Sequence, residues 1–153
     1  MTDTSANNRL SCKPMPTFEA RTVSITIDRP WREVYDFASI PLNFQRWASG
    51  LGGSLKKSGD LWSAQGPDGP VRIRFSDRND LGVLDHWVMP ESGGEIYIPL
   101  RVIPNGTGAE VMLTLLRAEG RTDEEMEADA EWVRRDLDAL KALCEAGTLG
   151  ARK

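Results

Sequence analysis

Apolar and polar residues alternate along FEARTVSITI, residues 18–27, where Ser24 and Thr26 separate Val23, Ile25 and Ile27. A period of two marks a strand with one buried face. Asp28-Arg29-Pro30 stops it; Asp28 is placed to cap a following helix and Pro30 suits its first turn. From Trp31 to about Ser39 the period lengthens, and Val34, Phe37 and Ala38 fall on one face of a short helix. Pro41 ends that helix and opens a second in PLNFQRWA, with Phe44 and Trp47 on one side. Gly50, Gly52 and Gly53 then break the helical run.

Between about 54 and 117, short apolar runs are punctuated by turn signals at hairpin spacing. These are Ser58-Gly59, Pro67-Asp68-Gly69, Arg78-Asn79-Asp80, Ser92-Gly93-Gly94 and Asn105-Gly106. They predict six strands, at about 54–57, 60–65, 70–77, 81–89, 95–103 and 108–117. With no helical pattern between them, the strands form an antiparallel meander. The last element opens on Thr122-Asp123-Glu124-Glu125, a capping box. Met126, Ala130, Val133, Leu137, Leu140 and Cys144 follow at alternating spacings of four and three. That is the apolar stripe of a helix on the order of 35 Å long, running to about Glu145. Gly147 and Gly150 end it.

The turns also predict which side chains share a face. A two-residue turn at Asn105-Gly106 sets Leu100 opposite Val111, Ile98 opposite Leu113 and Arg101 opposite Glu110. A tight turn at 78–80 sets Phe75 opposite Val83, Ile73 opposite Asp85 and Val71 opposite Trp87. The turn at 67–69 sets Trp62 opposite Ile73 and Ala64 opposite Val71. One face then gathers Trp62, Ile73, Phe75, Trp87, Leu100 and Leu113, and with them Asp85. The other carries Arg72, Arg74, His86, Arg101 and Glu110 with Tyr97 and Leu84, and faces water. A slip of one residue would exchange Asp85 and His86.

A chain of 153 residues is one domain's length. The predicted organisation is a flexible lead-in over 1–17, a domain over 18–146 and a short tail over 147–153. At 40% hydrophobic and 27% charged residues the composition is that of an ordinary globular protein. A net charge of −4 argues against nucleic acid or an anionic membrane as partner. No apolar run is long enough to span a bilayer, so integral membrane association is not expected. Residues 1–8 lack the basic and apolar regions of a secretory signal, and Cys12 and Cys144 stand far apart in the chain. A cytoplasmic location is therefore expected. A lone histidine without a cysteine cluster predicts no metal, and nothing predicts another cofactor. No serine nucleophile with partners and no glycine-rich phosphate loop is present. The oligomeric state is not readable.

The stretch ITIDRPWREVYDFASIPLNFQRW, residues 25–47, runs from a strand into a helix opening at Pro30, then V-Y-x-F, P-x-N-F and a Trp. It resembles the start of the START-like superfamily, also called SRPBCC or polyketide cyclase-like. LGVLDHW at 81–87, IPLRVIPNG at 98–106 and D-x-x-W-V-x-x-D-L at 129–137 are similar to a bacterial subgroup of that superfamily. The resemblance implies an α+β helix-grip fold. An antiparallel sheet of about seven strands curves around a long C-terminal helix, and two short helices follow the first strand. The order of elements matches over residues 18–145. The resemblance further implies a cavity between sheet and helix for hydrophobic or aromatic molecules, in a superfamily that ranges from lipid carriers to aromatase/cyclases.

On this expectation Trp62, Ile73, Phe75, Trp87, Leu100, Leu113, Val133 and Leu137 form the apolar wall, with Trp47 near the entrance and Asp85 the one polar contact. Asp85 has several readings. It is a general acid or base with a desolvated carboxyl, or an anchor for a ligand hydroxyl. Otherwise it pairs with a backbone group or a helix arginine, or a bulge turns it outward. An Asp85–His86 dyad is geometrically poor, because adjacent strand residues point to opposite faces. For each Trp taken separately core filler is the better reading, and Trp31 and Trp132 are expected to pack helices. The expected function is binding of a lipid-like or aromatic hydrophobic small molecule. One alternative is a cyclase- or dehydratase-like enzyme using Asp85 as acid/base, for which a second opposed titratable group is missing. The other is a protein–protein interaction module with a filled core. A cavity of roughly 300 Å³ or more separates the first two from the third.

Overall fold

The computed structural model describes residues 16–51 and 55–147. Nearly all of the lead-in with Cys12, the Gly52-Gly53 pair, Ser54 and the tail from 148 lie outside the described residues. The alternating segment forms β1 (Ala20–Ile27), with Val23 and Ile27 buried and Ile25 half-buried. Helix α1 (Trp31–Ala38) buries Val34, Tyr35, Phe37 and Ala38. Its N-cap is Pro30 rather than Asp28; the Asp28 amide instead donates to Glu145 Oε1 at 2.9 Å, tying the helix entrance to the far end of the chain. Helix α2 is a single turn (Pro41–Phe44), shorter than the PLNFQRWA expectation, though Trp47 and Ala48 still donate backward to the Phe44 carbonyl.

Among the described residues, eight strands follow the antiparallel plan in two sheets. After β1 come β2 (Lys56–Ser58), β3 (Leu61–Gly66), β4 (Gly69–Phe75), β5 (His86–Pro90) and β6 (Ile96–Ile98). The last two are β7 (Leu100–Asn105) and β8 (Gly108–Leu116). One sheet has the order β1-β8-β7 and the other β2-β3-β4-β5-β6. The strand expected at 95–103 is divided at Pro99, which has no N–H to give a ladder. The sheets meet there: Leu84 N donates to Leu100 O at 2.8 Å and Val102 N to Gly82 O at 2.9 Å.

The expected register holds between β3 and β4, where Trp62 faces Ile73 and Ala64 faces Val71. Between β7 and β8 it moves by two residues, to Leu100–Leu113 and Val102–Val111, because the hairpin turns at 106–107. An even shift keeps each side chain on its face, but Arg101 now lies opposite Met112 and Glu110 opposite Ile103. Between β4 and β5 the shift is odd: Phe75 pairs with His86, three residues beyond Val83, and Ile73 with Val88. Every side chain of β5 therefore changes face. Leu84 and His86 are buried inward, while Asp85 and Trp87 leave the cavity side.

The cause is local. Residues 76–85 are a wide loop, not a tight turn. Asn79 organises it, accepting from Leu81 N at 2.9 Å and Val83 N at 3.1 Å and donating to Val83 O at 2.9 Å. Gly82 lets this loop lie against β7. Its φ is +73°, and a Cβ there would stand 2.0 Å from the Val102 carbonyl oxygen.

Helix α3 (Asp123–Glu145) opens on the predicted capping box, with Glu125 N donating to Thr122 Oγ1 at 3.1 Å and Thr122 N to Glu125 Oε2 at 3.4 Å. Its stripe packs on β1 and β8, and Met126, Ala130, Leu137, Leu140 and Cys144 are buried. Val133 alone of the stripe is half-buried. No helix among the described residues is long and apolar enough to cross a membrane.

Two apolar clusters result. The larger joins α1 and α3 to β1, β7 and β8 through Ile27, Val34, Leu100, Val111, Leu137 and Leu140. The smaller gathers Leu55, Ala64 and Ile73, with Trp62, Val71 and Val88 against it. Leu51 and Phe75 touch both.

Leu137→Ala will lower unfolding free energy by about 2–5 kcal/mol in urea denaturation, and a loss under about 1 kcal/mol would show that the stripe is not core. Gly82→Ala will cost at least about 2 kcal/mol in the same assay, from left-handed backbone strain plus the clash with β7; a neutral result would contradict the close approach of loop and strand.

Candidate functional site

Between the two clusters, below α3, lies a cavity of about 210 Å³ open to solvent on one side. Phe44, Trp47, Ala48 and Leu51 close it from α2 and the turn beyond. Val71, His86, Val88 and Ile98 form its wall on the five-stranded sheet, and Leu113 and Leu115 of β8 complete the β side. Trp132, Val133, Asp136 and Leu137 of α3 form the opposite side. Val133 is the half-buried member of the α3 stripe and lines this space. Its volume is below the roughly 300 Å³ at which drug-sized pockets begin, yet above the ~150 Å³ that holds a benzene ring. It suits one or two fused rings rather than a long acyl chain.

Hydrogen bonds brace the mouth. Ser49 donates to Asp136 Oδ1 from its amide at 3.2 Å and its hydroxyl at 2.6 Å, and Trp132 Nε1 donates to Ser49 Oγ at 2.7 Å. Trp132 and Asp136 are four residues apart, so one helix face ties down the loop after α2. Burial raises the Asp136 pKa above the ordinary carboxylate value, with the Ser49 bonds opposing.

His86 is only 3% exposed. Its ring lies 5.1 Å from Phe44 and 5.9 Å from Phe75, centroid to centroid. Nδ1 is 3.2 Å from the Leu84 carbonyl oxygen, an acceptor, which assigns the proton to Nδ1 and leaves Nε2 with a lone pair. Burial pushes the imidazole pKa down to about 4, against smaller opposing effects from the Leu84 carbonyl and the Asp85 charge. At neutral pH the ring is therefore uncharged. Trp47, also buried, meets Phe44 edge-on at 4.8 Å, and its Nε1–H has no hydrogen-bond partner.

Asp85 lies apart from this cavity. Its carboxylate receives Arg101 Nε and Nη2, each at 2.8 Å, Tyr97 Oη at 2.6 Å and the Leu100 amide at 3.0 Å. The Arg101 guanidinium, aided by Tyr97 and the Leu100 amide, holds its pKa down to about 2 against desolvation. On the same outer face Trp87 stacks on Tyr97 at 5.3 Å and Arg74 lies over Trp87 at 4.5 Å. The expectation that Asp85 faces the cavity is thus corrected, and so is that of His86 on the outer face. The arginine that Asp85 pairs with comes from β7, not from the helix.

Of the sequence-derived site residues, the structure brings Trp47, Leu113, Val133 and Leu137 onto the cavity wall. Trp62, Ile73 and Phe75 pack in or against the smaller cluster, and Leu100 is buried in the larger one. Asp85 and Trp87 sit on the other face of the sheet. Sequence reasoning missed Phe44, His86, Val88 and Ile98 as wall residues, and Trp132 and Asp136 at the mouth. The spacing of Trp132-Val133 and Asp136-Leu137, one turn apart, was the available signal for the last two. For His86 and Val88, only the correct register would have served.

No protein-family model matches the chain, and no curated protein matches its sequence. Solved structures do resemble it. An uncharacterized protein from Bacillus thuringiensis superposes with a TM-score of 0.67 at 16% identity, covering 82% of this chain and 98% of its own. Ara h 8.0201 superposes at 0.63 and 8% identity, over 84% of this chain and 99% of that one. DynU16, from the dynemicin biosynthetic locus, reaches 0.65 at 16% identity, over 84% of this chain but 48% of its own. At such identities the likeness concerns fold alone: antiparallel sheets with a long C-terminal helix, consistent with a helix-grip fold.

The buried His86 makes stability depend on pH. Its folded pKa of about 4 lies below the ordinary 6.5, so the unfolded chain takes up the proton first. Stability is full above about 6.5 and declines as pH falls toward 4, by up to about 3 kcal/mol. Asp85 adds a separate loss between about 4 and about 2. Urea midpoints at pH 7 and 4.5 will show the first decline, and His86→Phe will flatten it; an equal decline in the variant would place the ring in water.

Proposed function

We propose that the protein binds a small, largely apolar molecule of one or two rings in the cavity between its sheet and α3. The observation that carries this reading is the apolar cavity of about 210 Å³, open on one side, between the two apolar clusters. Apolar wall exposed to water in such a pocket is surface that a ligand can bury, and burial of that area favours binding. At about 210 Å³ the cavity falls short of the roughly 300 Å³ set above for separating ligand binding from an interaction module, and what supports binding is that the core is not filled, as that module would have it, but opens on an apolar wall. Phe44, Trp47, Leu113, Val133 and Leu137 supply the contact surface in this reading, and aromatic area with fixed orientation favours flat molecules. The volume favours an aromatic guest over a lipid tail.

Binding is proposed rather than cyclase or dehydratase chemistry. Asp85, the acid/base candidate, is held ionised by a bidentate arginine and points away from the cavity. It has no proton to give near neutral pH and no path to a bound molecule. His86, held below its useful range by burial, is a poor proton carrier at neutral pH.

Native mass spectrometry of freshly purified protein is expected to show a co-purified small molecule. In titrations with naphthalene, the indole N–H resonances of Trp47 and Trp132 will shift saturably. Val133→Phe, which fills the cavity, will weaken binding at least tenfold while leaving the circular dichroism spectrum unchanged. Equal binding by the folded variant would place any ligand elsewhere.

A further inference from the structure

Two ring nitrogens on residues that line this cavity have no hydrogen bond among the described residues, and they differ in kind. Nε2 of His86 is an acceptor: the Leu84 carbonyl occupies the Nδ1–H, and no hydrogen bond reaches Nε2 among the described residues. Nε1 of Trp47 is a donor, buried and unpaired. Both rings stand edge-on to Phe44, at 5.1 and 4.8 Å, so they flank one aromatic platform. Buried polar groups in folded proteins are almost always paired, and the exceptions call for an explanation. A ligand that brings the missing partner is one. Since neither Lys nor Arg lines the cavity, an anion would find no counter-charge there.

We propose that the molecule held here is a neutral aromatic alcohol, of the phenol or naphthol class, whose hydroxyl donates to His86 Nε2. This rests on the small-molecule reading above and narrows it. The rings of Phe44, Phe75 and Leu84's backbone carbonyl fix the imidazole in one orientation and one tautomer, so the acceptor is set before the ligand arrives. A site that reads a hydroxyl through a buried acceptor rejects the analogue that lacks it, because the acceptor then stays unpaired.

The test compares 2-naphthol with 2-methylnaphthalene, in which a methyl group replaces the hydroxyl at nearly the same shape. Binding is followed at pH 7 by backbone and indole NMR shifts. We expect 2-naphthol to bind at least tenfold more tightly. His86→Phe should bring 2-naphthol down to the level of the hydrocarbon, while 2-methylnaphthalene keeps its affinity. Should that variant not fold, the wild-type comparison still decides. Equal affinity for both compounds in the wild type overturns the hydroxyl proposal and leaves the small-molecule reading standing. If neither compound binds and naphthalene also fails, both fall together.

Discussion

Pro99 interrupts the strand that the two sheets share, and the amide of the next residue, Leu100, gives its hydrogen to a side chain, the Asp85 carboxylate. The same carboxylate receives both arms of the Arg101 guanidinium and the Tyr97 hydroxyl, so every lone pair that burial would leave stranded is engaged. This is a buried charge whose cost is met by geometry rather than by water. It also locks the chain at 84–86 between two duties. Leu84 is bonded to β7, and His86 is already paired with β4 and β6. The inward position of His86, and so the chemistry of the cavity wall, follows from where that carboxylate is pinned.

The cavity is the counterpart of how α3 is seated. The helix packs on β1 and β8, and the smaller apolar cluster lies on β3 and β4, beyond its reach. Val133 and Leu137 of α3 face Val71, Val88 and Ile98 of the five-stranded sheet across the gap. The Ser49, Trp132 and Asp136 hydrogen bonds hold the loop after α2 over its edge, which keeps the mouth defined while the interior stays empty.

Much of this was legible along the chain. The capping box at Thr122 and the stripe from Met126 to Cys144 are local patterns with local causes, and both stand in the structure. So do the β3–β4 register and the faces of β7 and β8. The site was legible only in part: Trp47 and the helix residues Val133 and Leu137 follow from periodicity, but Asp85 and His86 exchange places. Arg78-Asn79-Asp80 has the composition of a tight turn, and the same asparagine can as readily bridge a loop of ten residues. Since strand side chains alternate, an odd error in loop length inverts every residue after it.

Periodicity, capping and turn residues are short-range physics, carried by neighbours within a few positions, and they determined most of the elements and their order, while the helix-grip plan came from the resemblance of residues 25–47 and the order of elements. The wide loop at 76–85 is stabilised by Gly82 lying against Val102 and by Asp85 reaching Leu100 and Arg101, contacts between residues far apart in the chain. Tertiary structure alone decided which of two adjacent polar residues, Asp85 or His86, would face the cavity, because the free energies that choose between the two registers come from partners that no local window contains.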